Sequence, residues 1–302
     1  MDKINKPSKF QLALIKLLHT LSPAIKSDET YLKWYFFLYT GSWMDFNNPK
    51  TFSEKIQWLK IHNTNPVYTV MADKYAMKQF VEDKIGAGYT FPLLGVWDRF
   101  DEIDIASLPD KFVFKTNHDS GGVWIVKDKK NAEYSKIKKE IEVRFQKNYF
   151  FLGREHPYKN IPHKIIAEKF MEEAEGCDLK DYKVFCFNGE PTYIQVDFDR
   201  FTNHKRDFFD TKWNMMDFGV LFPRAYNNIP VPEHLNEMID IARKLSQGLP
   251  FLRVDLFNIK GKVYVGELTF HPGGGVEKIT PEEWEYKLGD MIKLDKLDSN
   301  GK

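Results

Sequence analysis

The 302-residue chain has little cysteine, no dominant charge and no long apolar run. Only Cys177 and Cys186 occur, and no CxxC pair is present. That excludes a zinc motif of paired cysteines and a disulfide framework, and it suits a reducing cytoplasm. The 44 Lys and Arg against 43 Asp and Glu leave a net charge of +1. This balance carries no electrostatic footprint of nucleic acid, so no nucleic-acid partner is expected, and it does not demand an anionic membrane. Repeats, low-complexity tracts and long linkers are missing too, which excludes a solenoid. The start, MDKINKPSKFQLALIKLLHTLSP, is basic and then apolar, but Gln11 and Lys16 break the run. It is too short and too polar for a membrane span or a signal core. The spacing of Phe10, Leu14, Leu17 and Leu18 suits an amphipathic helix that packs on the rest of the protein. Peripheral association with the inner face of a membrane is the alternative for this helix.

What is present is enough apolar content, 42%, for two lobes. The 25 Phe, 14 Tyr and 7 Trp predict a Phe-rich core, with an aromatic carbohydrate surface as the alternative. Residues 1–107 read as mainly helical. In NPKTFSEKIQWLKIH, Ser53 is a plausible N-cap before Ile56, Trp58 and Leu59. VMADKYAMKQFVEDKIG places Tyr75, Met77, Phe80 and Val81 at helical spacing and stops at Gly86. The pattern changes at residue 108. LPDKFVFKTNHDSGGVWIVKDK reads as strand, polar loop, strand, and a helix and the strand HKIIAEKFM complete a first lobe, 108–172. A second lobe, 173–302, holds a hairpin turning at Asn188-Gly189, the helix PEHLNEMIDIARKLSQG, and a second hairpin, FLRVDLFNIKGKVYVGELTFHPGGG. The fold class is α+β, two lobes with mainly antiparallel sheets behind a helical N-terminal region.

Several charged residues interrupt these apolar runs. Lys115 closes a strand and leads into the small, flexible segment Asn117 to Gly122. Backbone N–H groups of such a loop can wrap phosphate oxygens beside a lysine, although a plain hairpin with a polar tip has the same sequence. Glu168 ends an apolar strand. Asp181 and Lys183 share one face of a strand, either as a surface pair or as cleft-lining groups. Asp197, Asp199 and Arg200 end the next strand, where substrate binding and a solvated turn are both open. Counting through Lys260-Gly261, Asp255 and Glu267 fall roughly opposite one another. Opposed carboxylates repel unless a cation lies between them. Mg²⁺ with phosphate oxygens would serve, and so would an ion pair with Arg253.

In order and spacing these pieces resemble the ATP-grasp superfamily. The phrases KTFSEKIQWLK, ADKYAMKQFV, FVFKTNHDSGG, DYKVFCFNGEP and GELTFHPGGG are similar, more narrowly, to the TupA-like ATP-grasp family, over residues 48 to 290. The resemblance implies an ATP-grasp fold whose two α+β lobes grip ATP with Mg²⁺. It implies that Lys115, His118, Ser120, Gly121 and Gly122 hold phosphates. Glu168, Lys169, Phe170 and Met171 would meet adenine, and Asp181 the ribose side. Asp255, Glu267 and Thr269 would bind the metal, with Thr269 standing where the family usually carries Asn. Arg253 and Lys183 would act on the transferred group, and His271 is a candidate base for the amine. Arg200, Gly273 and Gly274 would contact substrate.

The resemblance further implies a carboxylate–amine ligase with an acyl-phosphate route, in bacterial capsule or cell-wall polysaccharide synthesis. Its partners would be ATP, a carboxylate-bearing sugar unit such as a uronic acid, and an amino acid or amine. Two alternatives use the same residues differently. A kinase would stop at phosphoryl transfer, and a glycosyltransferase would use the Asp-Phe-Asp of 197 to 199 as its metal motif.

Overall fold

The computed structural model describes residues 8–172, 179–198, 202–227 and 229–294. Five helices open the chain: α1 (Lys9–Leu21), α2 (Asp28–Thr40), α3 (Phe52–His62), α4 (Pro66–Ala72) and α5 (Ala76–Ile85). Strands β1 (Leu93–Trp97), β2 (Phe112–Thr116) and β3 (Val123–Val126) follow, then α6 (Tyr134–Phe145), the short α7 (Phe150–Gly153) and β4 (Ile165–Lys169). The last part runs β5 (Asp181–Phe187), β6 (Glu190–Phe198), β7 (Lys205–Asp210), β8 (Gly219–Val220), α8 (Leu235–Ser246), β9 (Phe251–Ile259), β10 (Lys262–Thr269), β11 (Ile279–Thr280) and α9 (Glu283–Met291).

Strand alternation builds the first sheet, antiparallel in the order β1-β4-β2-β3. It starts at Leu93, upstream of the change of pattern at residue 108, because β1 pairs with β4. Phe112, Phe114, Trp124, Ile165 and Ala167 pack with Ile137 and Ile141 of α6. Register puts Val113, Lys115, Val123, Ile125 and Glu168 on the other face.

The second sheet is antiparallel in the order β10-β9-β5-β6-β7. Both of its tight hairpins turn where predicted. Asn188 and Gly189 have φ of 51° and 85°, and Lys260 and Gly261 have 50° and 72°, the paired positive values of a type I′ turn. One face is apolar throughout: Tyr182, Val184, Cys186, Ile194, Val196, Leu252, Val254 and Leu256 pack under α8. The other face is divided. Phe185, Phe187, Phe208 and Phe251 join Phe52 of α3 and Trp284 of α9 in the Phe-rich core. Asp181, Lys183, Gln195, Asp197, Arg253 and Asp255 occupy the rest of it. That division explains why strands otherwise suited to a core carry so many charges.

Two local expectations differ from the structure. Thr51, not Ser53, caps α3: Thr51 and Glu54 form a capping box, and Ser53 instead donates to Glu285. On α1, Ile15 and Leu18 pack against α2, whereas Phe10 and Leu17 stay exposed. The helix has two apolar faces, and the buried one is rotated from the stripe most visible in the sequence. No described helix is long and apolar enough to cross a membrane.

Candidate active site

A cleft of about 770 Å³ lies between the two sheets. Lys115, Ser120, Val123 and Ile125 line it from the first sheet, and Asp181, Lys183, Arg253, Asp255, Phe257, Glu267 and Thr269 from the second. Its third wall is the stretch Tyr149 to Tyr158, and His19, Tyr35 and Tyr39 of α1 and α2 close one end.

The loop after β2 is shaped by captured carbonyls. Arg144 donates to the carbonyls of Ser120 and Gly121, each at 3.1 Å, and Lys74 donates to that of Asp119. The Asp119 carboxylate is bound by Thr116 and Arg144. Meanwhile the backbone N–H groups of His118 through Gly122 donate to no protein acceptor among the described residues. Cations on the carbonyls and unengaged N–H groups leave this segment able to accept an anion. Gly122 is needed here: a Cβ on it would lie 1.8 Å from Thr116 Oγ1. The His118 side chain is turned away, stacked on His163 with ring centroids 3.7 Å apart, and it does not line the cleft. Burial lowers its pKa to about 4, with the neighbouring His163 adding to the effect.

Glu168 is buried between two ammonium groups, Lys115 at 2.6 Å and Lys78 of α5 at 2.5 Å. Burial alone would raise its pKa, but the charges of Lys115 and Lys78 outweigh that and hold the carboxyl below its ordinary value. Glu168 thus anchors Lys115 at the cleft floor. Lys169 is exposed and pairs through its N–H with the carbonyl of Pro92. Phe170 lies near the Lys111 ammonium, and Met171 packs beside Phe91, Phe257 and Tyr264.

On the second sheet Asp255 and Glu267 are direct cross-strand partners, where a count from the turn alone would pair Asp255 with Gly266. A bulge at Gly266 sets this register, and a Cβ there would lie 2.5 Å from the Phe257 ring. Arg253 grips Asp255 with two bonds of 2.7 and 2.8 Å and donates to Thr269 Oγ1 at 3.2 Å. Lys183 pairs with Asp181 and approaches Asp255 to 3.4 Å. Burial would raise the Asp255 carboxyl, but Arg253 and Lys183 keep it below its ordinary value. The hydroxyl of Thr269 lies 3.4 Å from Glu267 Oε1. No group of three or more His, Cys, Asp or Glu side chains among the described residues could hold a metal ion. Two hard carboxylates with a nearby hydroxyl nevertheless fit Mg²⁺, which takes its remaining ligands from phosphate and water.

The loop after β10 is held from behind. Gln57 donates to the carbonyls of Gly274 and Gly275, and Lys60 to that of Gly274 at 2.8 Å. Gly273, Gly274 and Gly275 have φ of 57°, 63° and 67°, so each favours glycine. Gly273 and Gly274 line the cleft, as does His271, whose Nδ1 lies 3.3 Å from Glu155. Burial lowers the His271 pKa, and Glu155 opposes that shift. Asp197 is paired with Arg206 at 2.6 Å, while Asp199 and Arg200 lie outside the described residues.

The cleft therefore gathers Lys115, the 117–122 loop, Asp181, Lys183, Arg253, Asp255, Glu267, Thr269, His271 and the glycine loop. Lys74, Lys78, Arg144, Glu155 and the four cleft tyrosines were not expected from sequence. Lys78 stands on α5, whereas Lys74 lies in the turn before it, so no helical spacing links the two and only the fold brings them to the cleft.

No curated protein matches the chain. Among solved structures, D-alanine–D-alanine ligase from Bacillus anthracis, complexed with ATP, is similar at 17% identity over 77% of this chain and 68% of that one, with a TM-score of 0.44. Phosphoribosylamine–glycine ligase from Thermotoga maritima is similar at 15% identity over 67% of this chain and 48% of that one, TM-score 0.43. The ATP-grasp ligase PsnB, complexed with a variant precursor, Mg and ADP, is similar at 10% identity over 82% and 66%, TM-score 0.40. The family model for TupA-like ATP-grasp proteins matches residues 54–293. With most of its length inside that match, the chain belongs to the TupA-like ATP-grasp family.

Proposed function

We propose that the protein is an ATP-dependent carboxylate–amine ligase. The observation that carries the reading is the pairing of Asp255 with Glu267 on one side of a cleft and an anion-binding loop with Lys115 on the other. Val123, Ile125 and Phe257 offer an apolar slot for adenine beside Lys169 to Met171, and Asp181 faces the ribose side. Lys115, Lys74 and the N–H groups of residues 118 to 122 would hold phosphates. Asp255 and Glu267, with Thr269 as a neutral third oxygen, would hold Mg²⁺, which neutralises phosphate charge when bound. Arg253 and Lys183 already neutralise the two aspartates, so the nucleotide complex would exchange some of these ion pairs for phosphate contacts. Freed from Asp255, Arg253 would stabilise charge on the transferred group.

The chemistry proposed is transfer of the terminal phosphoryl group to a carboxylate oxygen, releasing ADP. An amine nitrogen then attacks the acyl carbon, and the phosphate leaves with the former carboxylate oxygen. His271, its pKa lowered by burial and its Nδ1 near Glu155, would accept the amine proton in this reading. The acceptor we propose is a uronic-acid-type carboxylate of a bacterial polysaccharide unit, joined to an amino acid or amine. Tyrosines at the cleft's far end support an acceptor with a ring to stack. A glycosyltransferase reading has less support, since Asp197 is taken up by Arg206, Gln195 and His204.

Incubation with ATP, Mg²⁺, uronic-acid glycans and a panel of amino acids tests the reading. A ligase releases ADP and phosphate in amounts that depend on both carboxylate and amine. ADP with a stable phosphorylated glycan and no need for amine would establish the kinase instead.

A further inference from the structure

Helix α1 has an apolar face that the described fold leaves uncovered. At about 100° per residue, Phe10, Leu17 and Leu21 fall in one stripe, bordered by Leu14, which is half-buried against the core shared with α2. Phe10 is 72% exposed, Leu17 53% and Leu21 49%. The contact with α2 is made by Ile15 and Leu18, further round the helix. On the flank away from that contact stand Lys9 and Lys16, both exposed. No acidic residue occurs from Ser8 to Ser27, although the chain as a whole is nearly neutral.

We infer that α1 docks on an anionic membrane surface, lying in its plane. The stripe would sit at the boundary of headgroups and acyl chains, with the two lysines reaching lipid phosphates. Charge complementarity selects this occupant. A second copy pairing through the same face would bring no carboxylate to Lys9 or Lys16, because α1 has none. The helix lies on the surface rather than across it, since no described helix is long and apolar enough to span. His19, on the side of α1 opposite the stripe, lines the cleft. A docked helix would therefore bring one cleft wall close to the lipid. If the ligase reading holds, a lipid-carried acceptor would reach the site along this wall. The docking itself does not depend on that reading.

The test is co-sedimentation of the full chain with phosphatidylcholine vesicles, with and without about one-third phosphatidylglycerol. Binding should require the anionic lipid and fall by roughly tenfold or more in about 0.5 M salt. The double variant Phe10→Ser, Leu17→Ser should lose binding with unchanged thermal melting, because both side chains are exposed in the fold. Lys9→Gln, Lys16→Gln should weaken binding by roughly tenfold. Failure of the wild type to sediment with anionic vesicles would overturn the inference. So would unchanged binding in the serine variant, or a wild-type dimer that this variant dissociates.

Discussion

Burial would raise the pKa of Asp197, yet Arg206 and its neighbours bring it down to about 2. Because the folded value lies below the unfolded one, the group adds stability above the unfolded pKa and loses it as pH falls through the folded one. Asp197→Asn should therefore cost about 2 kcal/mol at pH 7. In urea titrations, the gap to wild type should hold from neutral pH to about pH 5 and close between about pH 4 and 2. A gap independent of pH would mean that Arg206 contributes shape rather than charge. For the cleft carboxylates, Asp255→Asn and Glu267→Gln should each lower ADP formation on the order of 100-fold while leaving the fold intact. Their rough opposition was legible because each breaks an apolar strand near a tight turn, but the turn alone would pair Asp255 with Gly266, and the bulge that brings Glu267 opposite was not read. Glu155 was not legible. It lies in an irregular stretch where no periodicity marks a face, and only the tertiary approach to His271 reveals it.

At the scale of elements, the glycine loop Gly273–Gly275 joins backbone conformation to function. A Cβ on Gly274 would lie 2.5 Å from the Tyr35 hydroxyl in a left-handed backbone. Gly274→Ala should cost about 1 to 2 kcal/mol. Adding Tyr35→Phe removes the hydroxyl and should restore part of the lost melting temperature. No restoration would assign the whole cost to φ. The tight turns were readable for a related reason: Asn-Gly and Lys-Gly between apolar runs leave few ways to reverse the chain. Alternation likewise marked β2, β4, β5 and β9, whose opposite faces meet different surroundings. The α3 cap was misplaced because Ser53 and Thr51 are both capable caps. Glu54 decides between them by closing the box on Thr51.

Across the whole molecule, the lobes are tied to the helical region by charges that local patterns do not reveal. Lys78 of α5 reaches Glu168 of β4, joining the helical layer to the floor of the cleft. Lys78→Met should cost about 2 kcal/mol, since Glu168 keeps one of its two buried partners. It should also weaken ATP binding by loosening Lys115, measured alongside melting. The antiparallel sheets were legible from the changes in periodicity. Closure of the cleft by α1 and α2 was not, because His19, Tyr35 and Tyr39 look like any amphipathic positions until the chain is folded. The central claim is that Asp255 and Glu267 hold Mg²⁺ for a nucleotide in this cleft. Calorimetric titration of ATP, with and without Mg²⁺, into wild type and Glu267→Gln tests it most directly. Mg²⁺ should tighten binding by about tenfold or more in the wild type and have little effect in the variant. Equal ATP affinity with and without Mg²⁺ in the wild type, or the same Mg²⁺ effect in the variant, would contradict it.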